Sequence, residues 1–229
     1  MLDRPSHRPE LIASQVAAPL VMLPGTLCDA RVFGPVLKRL GIDAQVTELI
    51  GAETTGAMAQ LILAQAPDRI SLCGFSLGAI VALEIVARAP QRVERLALIG
   101  CNPGLLDTRA RRTRAAQRRE EFTTAGDPQL VRLMAEEASE DSWHQQTAIT
   151  LSRADSLPRL RHIACPTLVL CGAQDPICPP ALSRTIADAI PGGHLAIIEQ
   201  AGHYVTLDQP EAVATEIAAW LATPTHSPH

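Results

Sequence analysis

The stretch that most constrains this chain is Arg69-Ile70-Ser71-Leu72-Cys73-Gly74-Phe75-Ser76-Leu77-Gly78, with the unbroken run that follows it. Ile70 to Cys73 is a largely apolar segment of strand length, Gly74-Phe75-Ser76-Leu77-Gly78 is a tight turn, and Ala79 to Arg88 contains no breaker before Pro90. A strand, a very sharp turn and a buried helix in that order leave few architectures open. The two glycines let strand and helix close on each other around a strained serine, whose hydroxyl is then exposed above the end of the sheet. That serine also stands at the positive end of a helix, where backbone N–H groups stabilise a developing oxyanion. A glycine-flanked serine alone is often only a turn or a cap. The flanking strand and helix patterns are the context that chemistry at Ser76 requires.

The rest of the chain repeats the strand–helix rhythm. Residues 1–10 are polar and proline-bearing and read as a loose tail, with a short edge strand expected from Leu11 to Ala17. Pro19 to Gly25 is a buried strand closed by Pro-Gly. Asp29 is placed to cap a helix running through Leu40 across Gly34-Pro35, Asp43 to Ile50 is the next expected strand, and Thr55 to Ala66 the helix after it. Val93 to Gly100 is another strand of the buried type. Short alternation of this kind favours right-handed crossovers and a mostly parallel sheet of about six strands, covered by helices on both faces.

From Gly104 to about Leu160 the rhythm changes to charged, alanine-rich helical patterns, including one opened by Asp127-Pro128. This stretch is expected to be a short helical cap inserted into a single domain spanning 1–229. The alternation resumes with a strand from Cys165 to Gly172, a helix from Pro180 to Ile190, a strand from His194 to Glu199 and a last helix from Pro210 to Leu221.

At 229 residues such a domain buries roughly 70–75% of its unfolded surface. The net charge of −4 provides no general attraction to nucleic acid or to an anionic membrane, so neither is expected as a partner. Six cysteines lie mostly in strand-like apolar runs without a Cys-x-x-Cys spacing, so buried free thiols are expected, and no metal or cofactor. With no apolar leader and no run of about 18 apolar residues, the expectation is a soluble, cytoplasmic protein.

A serine hydroxyl is a poor nucleophile at neutral pH and needs a base within reach, itself oriented by a carboxylate. In open parallel sheets such groups gather beyond the carboxyl ends of the strands. Asp175 directly follows the Cys165–Gly172 strand and His203 follows the His194–Glu199 strand, giving the order serine, acid, histidine. Each alone also has a plain role, Asp175 as a turn opener before Pro176 and His203 as a loop cap. Asp155 and Asp107 are fallback acids, and the other histidines lie in tails, in the insertion or at a strand start.

These residues resemble those of the α/β-hydrolase fold family, from about residue 19 to 221. Gly74 to Gly78 match the family's nucleophile elbow, Gly172-Ala173-Gln174-Asp175 its acid turn, and Gly202-His203 with Asp208 to Val213 its histidine loop and last helix. The family's His-Gly pair after the first of these strands is replaced by Leu23-Pro24-Gly25-Thr26-Leu27. The resemblance therefore implies an oxyanion hole made by the backbone N–H groups of Thr26 and Leu77, with Leu27 as second choice to Thr26. It implies a serine hydrolase acting on a small carboxylic ester or thioester. Separately, Leu27 with Phe122, Leu133, Met134 and Trp143 of the insertion could line an apolar substrate pocket, the alternative being that these side chains only hold the cap helices onto the body. The pyruvate-eliminating menaquinone-pathway synthase of the same fold is the runner-up; Ile80, which stands where its relatives usually carry an arginine two residues past the elbow's last glycine, counts against it. Carbon–carbon or lactone hydrolysis on this fold, and a non-catalytic ligand receptor, stay open as alternatives. The run Arg109, Arg111, Arg112, Arg114, Arg118 and Arg119 is expected to be a solvated helix face balanced by Glu120 and Glu121, the alternative being a site for an anionic substrate.

Overall fold

The computed structural model describes residues 18–117 and 129–225. At its centre is one six-stranded sheet, β1 (Leu20–Leu23), β2 (Gln45–Val46), β3 (Ile70–Phe75), β4 (Val93–Ile99), β5 (Thr167–Gly172) and β6 (His194–Ile198), in the order β2-β1-β3-β4-β5-β6. Every neighbouring pair is parallel. Parallel strands joined by crossovers bury both faces, which is why β1, β3 and β5 are largely apolar with every residue buried.

Alternate side chains divide between two cores. Val21, Leu23, Leu72, Leu96, Leu98 and Val169 point to one face, beneath α2 (Thr55–Gln65), α3 (Leu77–Arg88) and α7 (Pro180–Ala189). Met22, Cys73, Phe75, Ala97, Ile99 and Leu170 point to the other, against α1 (Gly34–Leu40) and α9 (Pro210–Ala222). Of the expected helices, α2, α7 and α9 agree to within a residue. All six cysteines are free thiols, and only Cys165 among them is not fully buried. No helix among the described residues is long and apolar enough to cross a membrane.

Two expectations are corrected. The strand expected over Asp43–Ile50 shrinks to Gln45–Val46, because it lies at the sheet edge with β1 as its single neighbour and carries Asp43, Thr47 and Glu48 among its apolar residues. The helix expected from Asp29 through Leu40 is broken: Asp29 caps a separate 3-10 turn, Ala30–Val32, and α1 begins afresh at Gly34. Pro35 lies in the first turn of α1, where its missing N–H leaves no bond unmade. The expected edge strand at Leu11–Ala17, the Asp127-Pro128 helix start and Phe122 fall outside the described residues.

Between β4 and β5 the described helices are α4 (Thr108–Ala116), α5 (Gln129–Glu137) and α6 (Glu140–Ser152), followed by a 3-10 segment, Leu157–His162. α6 is tied to the start of α2: Thr55 Oγ1 donates to the Ile149 carbonyl at 3.1 Å and the Thr55 amide donates to Ser152 Oγ at 2.9 Å.

The turn between β3 and α3 is the tightest junction in the molecule. Ser76 has φ 53° and ψ −112°, a region that costs a non-glycine residue about 1–3 kcal/mol. A Cβ at Gly74 would lie 2.6 Å from the Ala79 amide nitrogen, and one at Gly78 would drive into the Leu23 carbonyl of β1. Strand and helix are therefore closer than any side chain allows. Gly78→Ala is expected to destabilise the fold by about 1–3 kcal/mol or more, read as a lower urea midpoint. An unchanged midpoint would show that the junction is looser than described.

Candidate active site

Because all strands run the same way, their carboxyl ends share one edge of the sheet. The turns after β1, β3, β4, β5 and β6 bring Thr26, Ser76, Gly100, Cys178 and His203 to one cavity of about 340 Å³. His203 Nε2 lies 3.0 Å from Ser76 Oγ, and His203 Nδ1 lies 2.8 Å from Asp175 Oδ2. With a carboxylate facing Nδ1, that nitrogen carries the proton, and Nε2 is left to accept from the serine hydroxyl.

The carboxylate is held on both oxygens. The amides of Ile177 and Cys178 each donate to Asp175 Oδ1 at 2.8 Å. Burial alone raises its pKa, but the hydrogen bond and charge of His203, with the two amides, outweigh that and hold it below its ordinary value. Asp175 is thus ionised and fixed in direction. The turns bearing Asp175 and His203 are themselves stitched together, the Ala173 amide donating to the Ile198 carbonyl at 2.8 Å and that of Gln174 to the Ala201 carbonyl at 2.9 Å. The His203 ring packs 5.2 Å from the Phe75 ring, centroid to centroid.

Comparison with known proteins shows the family. A family model described as the alpha/beta hydrolase family matches residues 2–216. The chain belongs to the alpha/beta hydrolase family. Among its relatives, a protein of Enterobacter cloacae bearing the name carbamate hydrolase RutD is 28% identical over 201 residues, 77% of this chain and 74% of that protein. An esterase of Exiguobacterium antarcticum has a similar structure, with TM-score 0.75 and 21% identity over 91% of this chain and 93% of its own. The enol-lactonase of Burkholderia xenovorans has TM-score 0.75 and 18% identity, over 90% of this chain and 92% of its own. At those identities the two structures show the shared fold.

Other candidates from the sequence fall into ordinary roles. Asp107 caps α4, accepting from the Ala110 amide at 2.7 Å, and Asp155 accepts from the Leu157 amide at 3.1 Å. His144 and His194 face Glu140 and Glu216 at the surface, each at 3.4 Å. Asp175, Cys178 and His203 are the described residues whose donor atoms converge closely enough to hold a metal ion. Burial and the charge of Asp175 push the Cys178 thiol far up, so it offers a neutral sulfur rather than a thiolate.

Of the residues expected as oxyanion donors, Thr26 and Leu77 both line the cavity with Ser76. The Leu77 amide, at the first position of α3, has no intrahelical acceptor. The Leu27 amide is engaged elsewhere, donating to Gln146 Oε1 of α6 at 2.8 Å. That removes Leu27 as the second choice, and it brings in a residue the sequence reading missed. The signal was there: Trp143, Gln146 and Ile149 form one buried stripe of α6, and a glutamine on such a stripe needs a partner.

The expected apolar pocket is placed differently. Leu27 and Met134 line a neighbouring cavity of about 310 Å³ together with Asp29, Arg31, Glu48 and Glu137. Trp143 packs with Leu27 and Ala135 and lies under the Arg114 guanidinium, 4.6 Å from its ring centroid. The cavity at Ser76 is lined instead by Ile80, Leu106, Arg114, Thr150, Arg153 and Ile177. The arginine run is divided accordingly. Arg109 and Arg112 are exposed as expected and Arg111 donates to the Leu151 carbonyl at 2.8 Å, whereas Arg114 turns inward to the cavity.

Leu27 has φ 55°, so its amide is presented from a left-handed conformation that is held by the α6 contact. Gln146→Leu leaves that buried N–H without an acceptor and is expected to cost about 1–3 kcal/mol of stability in denaturant unfolding. Gln146→Glu, which keeps an acceptor, is expected to retain part of it. Equal stability of the wild type and the leucine variant would show that the contact holds nothing.

Proposed function

We propose that the chain is a serine hydrolase that cleaves a small carboxylic ester or thioester through an acyl-enzyme. The observation that supports this best is the unbroken hydrogen-bonded chain from Ser76 through His203 to Asp175, opening on a cavity large enough for a small acyl group. Ser76 Oγ attacks the carbonyl carbon and His203 Nε2 takes its proton. Asp175 keeps the imidazole in the required tautomer and stabilises its charge. The oxyanion forms against the amides of Thr26 and Leu77. Collapse of that intermediate breaks the bond to the alcohol or thiol, which leaves with the proton returned by His203. Water, activated by the same nitrogen, then releases the acid and regenerates the serine.

The helices between β4 and β5 act in this reading as a cap on one 229-residue domain, closing the side of the cavity opposite Ser76. The carbamate hydrolase named among the relatives makes a carbamate a second acyl substrate to be tried beside the esters.

Turnover of 4-nitrophenyl acetate and butyrate tests the assignment. Ser76→Ala is expected to lower kcat by several orders of magnitude while leaving Tm nearly unchanged. Asp175→Asn is expected to lower kcat by roughly 10³- to 10⁴-fold, and Asp155→Asn and Asp107→Asn to change it little. Retained turnover in Ser76→Ala would remove the nucleophile assignment. A crippling Asp155→Asn beside a mild Asp175→Asn would move the acid to the cap.

A further inference from the structure

Arg153 follows directly on the last residue of α6, and it is 94% buried, with a relative exposure of 6%. It lines the same cavity as Ser76 and His203. Its Nε and Nη2 atoms are buried and make no hydrogen bond, and no carboxylate pairs with it among the described residues. A buried charge left without a partner costs several kcal/mol in a protein, so a fold that keeps one inside its candidate active site invites a reason. Packing alone does not supply it, since a neutral side chain of similar length fills the same space without the desolvation penalty.

The two unpaired atoms are also the informative ones. Nε–H and one Nη2–H point in parallel along one edge of the planar guanidinium, the edge that receives both oxygens of a carboxylate. A second cation is close by: Arg114 lines the cavity from α4, braced on the Trp143 ring and donating through Nη1 to Gln117 Oε1 at 3.0 Å. Burial, and then the charge of Arg153, pull the Arg114 pKa down to about 10. The charge of Arg153 is thus felt at Arg114, and it is Arg153 whose Nε and Nη2 have no partner among the described residues. The same cavity is lined by the two arginines of the segment between β4 and β5 and by Ser76.

We propose that the substrate is an ester or thioester bearing a carboxylate remote from the scissile carbonyl, and that Arg153 receives this carboxylate side-on, with Arg114 beside it. The inference rests on the hydrolase reading above and narrows its substrate class. The carboxylate supplies the missing counter-charge, so part of the binding energy comes from relieving a strain built into the free enzyme. It also orients the acyl chain, since one end is fixed at the cap and the carbonyl is left over Ser76.

The test uses the monomethyl esters of succinate, glutarate and adipate, each against its neutral isostere with a terminal carboxamide in place of the carboxylate. The wild type is expected to prefer at least one carboxylate ester over its carboxamide by about 10-fold or more in kcat/KM. In Arg153→Gln that ratio is expected to fall by about 10- to 100-fold, chiefly through KM. Arg153→Lys, which keeps the charge but not the fork, is expected to recover part of it. The Tm of Arg153→Gln is expected at or above that of the wild type, because the variant removes an uncompensated buried charge. Calorimetric binding of glutarate to Ser76→Ala separates this inference from the hydrolase assignment. Binding that is lost on adding Arg153→Gln supports the carboxylate site even if no ester is turned over. Neutral esters hydrolysed as well as every carboxylate ester, an unchanged ratio in Arg153→Gln, or a Tm several degrees lower would each overturn the proposal. So would binding of inorganic phosphate in preference to all three dicarboxylates.

Discussion

The close approach of α3 to the sheet at Gly74 and Gly78 is the constraint on which the rest of this molecule depends. It sets Ser76 at φ 53°, a conformation the residue does not adopt unless its surroundings enforce it. The enforcement is visible in the backbone. The Ser76 amide donates to the Ile99 carbonyl of β4 at 2.8 Å, and its own carbonyl accepts from the Ala79 amide at 3.0 Å. The strained residue is thereby fixed between two buried strands and the first turn of a buried helix. The core on both faces of the sheet bears the strain, and the hydroxyl is left above the sheet edge within reach of His203. A parallel sheet adds the second half of the arrangement, because the turns after β1, β4, β5 and β6 deliver residues to the same place.

The polar groups buried around that edge separate into two kinds. Asp175, His203, Gln146 and the turn amides are satisfied by one another, and each satisfied bond fixes one direction that the proposed chemistry needs. Gln146 does this across 119 residues of sequence, linking the helical segment after β4 to the turn after β1. The segment above the cavity and the proposed oxyanion donors therefore share a connection, so a displacement of α6 is felt at Leu27. Arg153 is the exception, a buried charge on the same helix with unpaired donors. Satisfied groups give the site its shape, and the unsatisfied one marks where a ligand completes it.

The parts of this structure that were legible in the sequence are those fixed by local pattern. Strands buried on both faces are largely apolar runs, and β1, β3, β4 and β5 fall where such runs stand, Ser71, Glu94, Arg95 and Thr167 being their polar members. Ser76, Asp175 and His203 stood out as candidates because each lies in the turn after a strand, and the structure brings the three side chains together. Of the two edge strands β6 was legible and β2 was not, since Asp43–Ile50 is a mixed sequence with little apolar pattern to fix its bounds. Gly34-Pro35 looked like an interruption within a helix and is the beginning of one, a distinction decided by the preceding 3-10 turn. The arginine run misled in a different way. Composition describes a solvated face, but α4 has an inward side, and Arg114 is on it. Arg153 carried no signal, since a cation at the end of a helix is an ordinary partner for the helix dipole. Its burial is a tertiary fact, set by what α6 packs against. The substrate pocket was misplaced for the same reason: Trp143, Met134 and Leu27 are apolar residues of the cap and its contact with the body, and pattern alone does not say which cavity they face.

The central claim is that strain and alignment make Ser76 the one activated hydroxyl of this chain. Labelling with a fluorophosphonate, which reacts covalently with activated serines, followed by peptide mass spectrometry, tests it most directly and without knowledge of the natural substrate. The account predicts a single adduct on the peptide containing Ser76, lost when His203 is replaced by Gln in a protein that still folds. An adduct on another residue, no adduct on the folded wild type, or equal labelling without His203 would contradict it.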